Sequence, residues 1–278
     1  MTKDTMTSHD LRISLVQTET VWRDPAQNRS ILTDQLAPLA GQTDLVLLPE
    51  TFTSGFDAAM PHTLEDMRGP TVRWLCQQAR RLQAVVAGSL PIGTDEGVFN
   101  RFVWATPDGR LETYDKRHLF RYAGEHLRYT AGHARLIIQW RGWRILPLIC
   151  YDLRFPLFCR NRFRKNDAAH SDFDLQVVVA NWPSLRACAW TTLLRARAIE
   201  NQCYVAGVNR VGRDGNGLHY GGGSAVITMH GEAQIEVGSS VQVVTTVVDR
   251  RALLCAREQF PVLSDADPFT LADQRTLL

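Results

Sequence analysis

The chain has 278 residues, 45% of them hydrophobic and 22% charged, with no low-complexity tract, which supports a compact fold with a sizeable core and excludes intrinsic disorder. A formal net charge of +2 arises from interspersed Lys, Arg, Asp and Glu without a basic stripe, which argues against a nucleic-acid partner. No apolar run has the length to span a bilayer, and the first residues lack the apolar core of a signal peptide, so a cytoplasmic protein with no membrane partner is expected. The six cysteines, at 76, 150, 159, 188, 203 and 255, contain no Cys-x-x-Cys pair. They fit reduced thiols better than a disulfide scaffold, and neither a metal nor a cofactor is expected.

In chain order, Val-, Ile- and Leu-rich runs predict strands at RISLVQT (12–18), DLVLLP (44–49), AVVAGS (84–89), FVWAT (102–106), RLIIQW (135–140), RILPLIC (144–150), LQVVVAN (175–181), YVAGVNR (204–210), SAVITM (224–229) and VQVVTTVVD (241–249). Amphipathic patterns predict helices at NRSILTDQLAPLA (28–40), TVRWLCQQARRLQ (71–83) and ACAWTTLLRARAIENQ (187–202). Asp108-Gly109 and His230-Gly231 read as tight hairpin turns, so the sheets are mixed. With no linker or repeat, the expectation is a single α/β domain over 1–278, with stacked sheets and helices outside. Its core covers about 11–255, and 256–278 is a tail that packs on a partner subunit; RNRFRKNDAAHS (160–171) reads as an exposed insertion.

Three positions suggest chemistry. In TDLVLLPETFTSGF (43–56) an apolar strand stops at Pro49 and Glu50 follows, at a strand end where α/β folds place pockets. A solvent-facing Glu at a loop start is the other reading. Lys116, in ETYDKRHLF (112–120), lies among Asp115, Arg117 and His118. Such clusters are commonly solvated, although an ammonium beside a thiol favours thiolate and can hold an oxyanion. Cys150 ends a strand and precedes YDLRFP, which suggests a turn into a helix whose free N–H groups, Tyr151 first, can hold developing negative charge. Core filling is the competing role for a cysteine there.

LPETFTSGF, YDKRHLF and ICYDLRFP, in that order, resemble the Glu, Lys and Cys motifs of the nitrilase superfamily of carbon-nitrogen hydrolases, and the resemblance covers nearly the whole chain. It implies a four-layer α-β-β-α sandwich, assembled as a homodimer, with Glu50, Lys116 and Cys150 catalytic. CYDLRFP, VANWP, RARAIENQ, VNRVGRDGNG and REQFPVLSDADPF resemble the bacterial omega-amidase group. That group hydrolyses the distal amide of 2-oxo dicarboxylic acid monoamides such as 2-oxoglutaramate, so the implied partner is a small-molecule amide carrying a carboxylate. The family's second glutamate corresponds to Glu125 in GEHLRYTAG (124–132), which could instead pair with Arg121 or Arg128 on a surface.

In the resembling amidases an arginine at the position of Arg154 faces the substrate carboxylate. An ion pair with Asp152 is the alternative on sequence alone. Animal and fungal omega-amidases carry a Phe-Asn and Thr segment where this chain has Asn181-Trp182-Pro183, so Asn181 and Trp182 are expected to line the pocket together with Tyr151. A Cys-His hydrolase would need a histidine base, with His118, His133 and His219 as candidates. A catalytically silent member of the superfamily is a further alternative. The Gly-rich GRDGNGLHYGGGSA (212–225) lacks the strand-to-helix context of a dinucleotide loop and reads as a pocket rim or an inter-strand loop.

Overall fold

The computed structural model describes residues 10–58, 64–163, 171–267 and 270. The first part of the chain forms β1 (Leu11–Gln17), α1 (Pro25–Leu36), β2 (Leu45–Leu47), α2 (Pro70–Leu82), β3 (Val85–Thr94), β4 (Gly97–Ala105) and β5 (Leu111–Asp115). There follow β6 (Ile138–Trp140), β7 (Trp143–Ile149), α3 (Pro156–Cys159), β8 (Leu175–Ala180), α4 (Ala187–Asn201) and β9 (Tyr204–Asn209). The chain continues through β10 (Val211–Arg213), β11 (His219–Gly221), β12 (Ala225–Ile227), β13 (Ala233–Glu236), β14 (Gln242–Val248) and α5 (Arg250–Gln259).

Two six-stranded sheets result, ordered β14-β1-β2-β3-β4-β5 and β13-β12-β9-β8-β7-β6. In each, three strands run parallel, β1-β2-β3 and β7-β8-β9, and the outer strands pair antiparallel. Parallel neighbours need crossovers, and α1, α2, α3 and α4 lie on those connections. The mixed sheets expected from the hairpin signals are present, with Asp108-Gly109 joining β4 to β5 and His230-Gly231 joining β12 to β13.

The continuous apolar runs follow from burial on both strand faces. Along the first sheet, Leu11, Ile13, Leu45, Leu47, Phe102 and Trp104 belong to the core shared with the second sheet. Val16, Val46, Leu48, Val86, Val103 and Ala105 pack with Leu32 and Leu36 of α1 and Leu75 and Ala79 of α2. On the far side, Trp190, Leu194 and Ala198 of α4 cover the second sheet. The layers are therefore α-β-β-α. A Cβ at Gly207 would meet Leu194 Cδ1 at 2.8 Å and Trp190 Cζ2 at 2.9 Å, so glycine in β9 sets how closely α4 approaches.

Two segments depart from the sequence reading. Residues 164–170 of the expected insertion lie outside the described residues; Arg162 and Phe163 are exposed as expected, but Asn161 and Ser171 are buried. Asn161 Nδ2 donates to Phe173 O (2.9 Å) and Asn201 O (3.0 Å), and Ser171 is fully buried. Helix α5 was not anticipated, and residue 256, taken as the start of the tail, falls within it. This helix is held by Leu253 in the core and by ion pairs. Among the described residues, no helix is long and apolar enough to cross a membrane.

Those ion pairs converge on the fully buried Asp174, which accepts from Arg257 Nη1 (2.7 Å), Arg144 Nη2 (3.1 Å) and Arg250 Nη1 (3.2 Å). Burial opposes its charge, yet Arg257, Arg144 and Arg250 together hold its pKa below the ordinary 3.8. A depressed folded value contributes stability that is complete above the unfolded value and is lost as pH falls through the folded one. Asp174→Asn is expected to cost about 3–5 kcal/mol at neutral pH, because it strands buried guanidinium groups. Urea unfolding at neutral pH and again below the ordinary carboxylate value measures this, and the difference between variant and wild type should shrink in acid.

Candidate active site

Strand β2 ends at Leu47, and Leu48 N still donates to Ala87 O at 2.8 Å before Pro49 stops the ladder. Glu50 then turns inward and is 1% exposed. Thr51, next in the chain, has φ of +41°, a left-handed conformation that is strained for a β-branched residue and is held by the Ser89 hydroxyl, which accepts from Thr51 N at 3.0 Å. Lys116 follows β5; its N–H donates to Asn100 O (3.0 Å) and its side chain is 1% exposed.

The two charges meet, with Lys116 Nζ donating to Glu50 Oε1 at 2.8 Å. On its other side Lys116 Nζ donates to both oxygens of Glu125, at 3.1 and 3.0 Å. Glu125 is fully buried and also accepts from Phe120 N at 2.5 Å, so the surface pairing with Arg121 or Arg128 does not occur. Asn100 Nδ2, unanticipated from the sequence, ties the carboxylates together by donating to Glu50 Oε1 (2.8 Å) and Glu125 Oε1 (3.4 Å). The sequence clue was Asn100, which stands with Arg101 inside the otherwise apolar strand VFNRFVWA. Burial disfavours the ammonium, but Glu125 and Glu50 outweigh it and hold the Lys116 pKa well above 10.5. Burial first, and then Glu50, raise the proton affinity of Glu125, against the pull of Lys116.

Cys150 begins a 3-10 turn, Cys150–Arg154, directly after β7, and its φ of +46° is again left-handed. Such strain persists only where surroundings fix the backbone. Asp152 does much of this: its side chain accepts from Ile149 N (3.1 Å), Tyr114 OH (2.7 Å), His118 N (2.9 Å) and His118 Nδ1 (2.8 Å). Behind it, Arg197 Nη2 donates to Leu153 O at 2.8 Å. Asp152 thus fastens the turn at Cys150 to the segment carrying Lys116, and the alternative Arg154–Asp152 pair is absent because the carboxylate is already committed.

The Cys150 thiol and Glu50 face the same cavity, and Cys150 Sγ lies 3.9 Å from the carbonyl oxygen of Asn181, the residue whose N–H donates to Glu50. Burial first and Glu50 second push its pKa well above 9.0, against the lowering effect of Lys116. Lys116 does favour the Cys150 thiolate, as the sequence suggested, but burial and Glu50 outweigh it. A protonated thiol beside a carboxylate is a nucleophile with its base in place.

These groups open onto one cavity, lined by Glu50, Lys116, Cys150, Tyr151, Arg154, Asn181 and Trp182. Glu125 does not line it, which makes Glu125 a residue that positions Lys116. Asn181 is placed more by Glu50 than expected: its N–H donates to Glu50 Oε2 (2.9 Å) and its Nδ2 to Glu50 O (2.9 Å) and Thr51 Oγ1 (2.8 Å). Arg154 lies with its guanidinium carbon 4.8 Å from the centre of the Trp182 ring. The Gly-rich segment forms the β10–β11 hairpin, whose Asp214, Asn216, Leu218 and Tyr220 line the rim.

None of the candidate histidine bases lines this cavity. His118 is stacked on Phe155 at 3.8 Å and bound to Asp152, while His133 and His219 are exposed. The geometry therefore favours Glu50 as base over a Cys-His arrangement. Among the described residues no group of three His, Cys, Asp or Glu side chains is arranged to hold a metal ion.

Comparison with known proteins agrees with this architecture. The carbon-nitrogen hydrolase family model matches residues 12–253. The chain is 47% identical over 267 residues to the omega-amidase YafV of Escherichia coli (strain K12), covering 94% of this chain and 98% of that protein. It is 31% identical to a 2-oxoglutaramate amidase of Bacillus subtilis (strain 168), covering 91% and 96%. The crystal structure of a CN-hydrolase superfamily protein from Xanthomonas campestris, with an arsenic adduct in its active site, superposes with a TM-score of 0.93 at 60% identity, covering 95% of this chain and all of that one. The sandwich, the buried Glu-Lys-Cys cluster and these matches together place the chain in the carbon-nitrogen hydrolase family.

Proposed function

We propose that this protein is an omega-amidase: it hydrolyses the terminal amide of a 2-oxo dicarboxylic acid monoamide such as 2-oxoglutaramate through a thioester on Cys150. The observation that carries the reading is that Cys150, Glu50 and Lys116 share one cavity with Arg154, a guanidinium with no carboxylate partner among the described residues. The similarity to omega-amidase and 2-oxoglutaramate amidase sequences supports the same substrate class.

The chemistry follows from the proton inventory. Glu50 takes the thiol proton as Cys150 Sγ attacks the amide carbon, so no free thiolate accumulates. The oxyanion is received by Lys116 Nζ, whose N–H toward Glu50 Oε1 is released as that carboxylate takes the thiol proton, and by the Tyr151 N–H, which sits in the first turn of the 3-10 segment without an acceptor inside it. Glu50 returns the proton to the leaving nitrogen, the C–N bond breaks, and ammonia departs from the thioester. A water then gives a proton to Glu50 as it attacks the thioester carbon, and the expelled sulfur recovers that proton while the acid leaves. Arg154 holds the far carboxylate with its planar fork.

Ammonia release from 2-oxoglutaramate, 2-oxosuccinamate, simple amides, N-carbamoyl amino acids and nitriles tests this. The carboxylate-bearing amides are expected to lead. Cys150→Ala should lower turnover by more than about 10⁴-fold with the fold intact. Arg154→Ala should cost about 2–4 kcal/mol in kcat/KM, roughly 30- to 1,000-fold, for these amides. A wild-type enzyme that prefers nitriles or uncharged amides contradicts the assignment.

The electrostatics generate a second expectation, in which two activities diverge. Glu50→Gln removes a charge that raises the Cys150 pKa, so the pH midpoint for alkylation of Cys150 should move down. Amide turnover in the same variant should be lost, because glutamine cannot carry the proton. Peptide mapping after timed alkylation across pH follows Cys150 separately from the exposed Cys188 and Cys255. A midpoint that rises would contradict the assigned role of Glu50.

A further inference from the structure

We propose that Arg186 is a second cation for the free carboxylate end of the substrate, acting with Arg154 as a paired guanidinium clamp. This rests on the amidase reading above and deepens it. Arg186 ends a 3-10 turn, Ser184–Arg186, ahead of α4, and it lines the same cavity as Cys150 and Arg154. Nothing in the local sequence SLRAC marks it.

Its surroundings resemble those of Arg154. The Arg186 guanidinium carbon lies 5.2 Å from the centre of the Tyr122 ring and 5.7 Å from that of Phe120. Both arginines thus rest against aromatic rings, which position a guanidinium while leaving its N–H fork free. Among the described residues neither has a carboxylate within ion-pair distance, in a molecule where Asp44, Asp57, Asp115 and Asp174 are each matched by arginine. The acids on the cavity wall do not compensate. Asp57 pairs with Arg23 at 2.6 Å, and Asp214 accepts from Tyr220 OH (3.0 Å), Asn216 N (2.8 Å) and Leu218 N (3.0 Å).

Trp182 joins the two cations mechanically. Its ring carries Arg154, and its Nε1 donates to Arg186 O at 2.8 Å, so one side chain fixes both ends of the clamp. Two uncommitted guanidinium groups in one cavity favour an anionic group with several acceptor oxygens, and a 2-oxo acid terminus supplies a carboxylate with a neighbouring carbonyl oxygen. A 2-ammonium group in the same place would meet like charge.

The test compares 2-oxoglutaramate, glutaramate and the neutral methyl ester of glutaramate in wild type, Arg186→Gln and Arg186→Lys. For Arg186→Gln, kcat/KM should fall about 10- to 50-fold on the two acids, mainly through KM, and less than about 3-fold on the ester. Arg186→Lys should lie between, since an ammonium keeps the charge without the fork. Ester turnover shows that each variant is folded. Equal losses on acid and ester, or no loss on the acids while wild type still prefers them, would overturn the role of Arg186 alone. A wild-type enzyme indifferent to the carboxylate would overturn the omega-amidase reading and this inference with it.

Discussion

The arrangement depends on one ammonium held between two buried carboxylates. An isolated ion at the depth of Lys116 would be strongly penalised, and so would either Glu50 or Glu125 without it. Together, with Asn100 bridging the acids, they form a network that is satisfied only in one geometry. Its members come from the end of β2, the end of β5, the middle of β4 and the short 3-10 turn Glu125–Leu127, so the first sheet must be in register before the charges can meet. The site is consequently as rigid as the sandwich that carries it.

That network also sets the protonation state of the nucleophile. A lone lysine would pull a neighbouring thiol toward thiolate. Here its charge is already answered by two glutamates, and burial together with Glu50 keeps the proton on Cys150. In the proposed mechanism the same carboxylate that discourages the free thiolate receives its proton, so ionisation is coupled to attack. The left-handed backbone at both Thr51 and Cys150 is part of this placement, and Ser89, Asp152 and Arg197 hold it.

Much of this was legible in the sequence. The continuous apolar runs gave nearly every strand of the two sheets because burial on both faces leaves no polar alternation to misread. Glu50 and Cys150 drew notice because each follows a strand end, and Lys116 because it sits in a cluster of charges, but the roles expected of all three, and of Glu125 and Arg154, came from the family resemblance. What escaped was decided by distant contacts: Asp152 looked like a partner for Arg154 until Tyr114 and His118 reached it from elsewhere. Asn100 acts across the sheet, and Arg186 acquires meaning only from rings contributed by a loop far away in sequence. The ends of the segment 160–171 look polar and loop-like, yet Asn161 is buried by bonds to Asn201 and Phe173.

The central claim is that Cys150 rests as a thiol whose proton passes to Glu50 during attack. Thiolate absorbance in the ultraviolet, taken as the difference between wild type and Cys150→Ala across a pH titration, reads this directly. The account predicts no Cys150 thiolate at neutral pH and a signal that appears only above the ordinary thiol value of 9.0. A thiolate already present at neutral pH would contradict it, and would make Lys116, not Glu50, the group that governs the nucleophile.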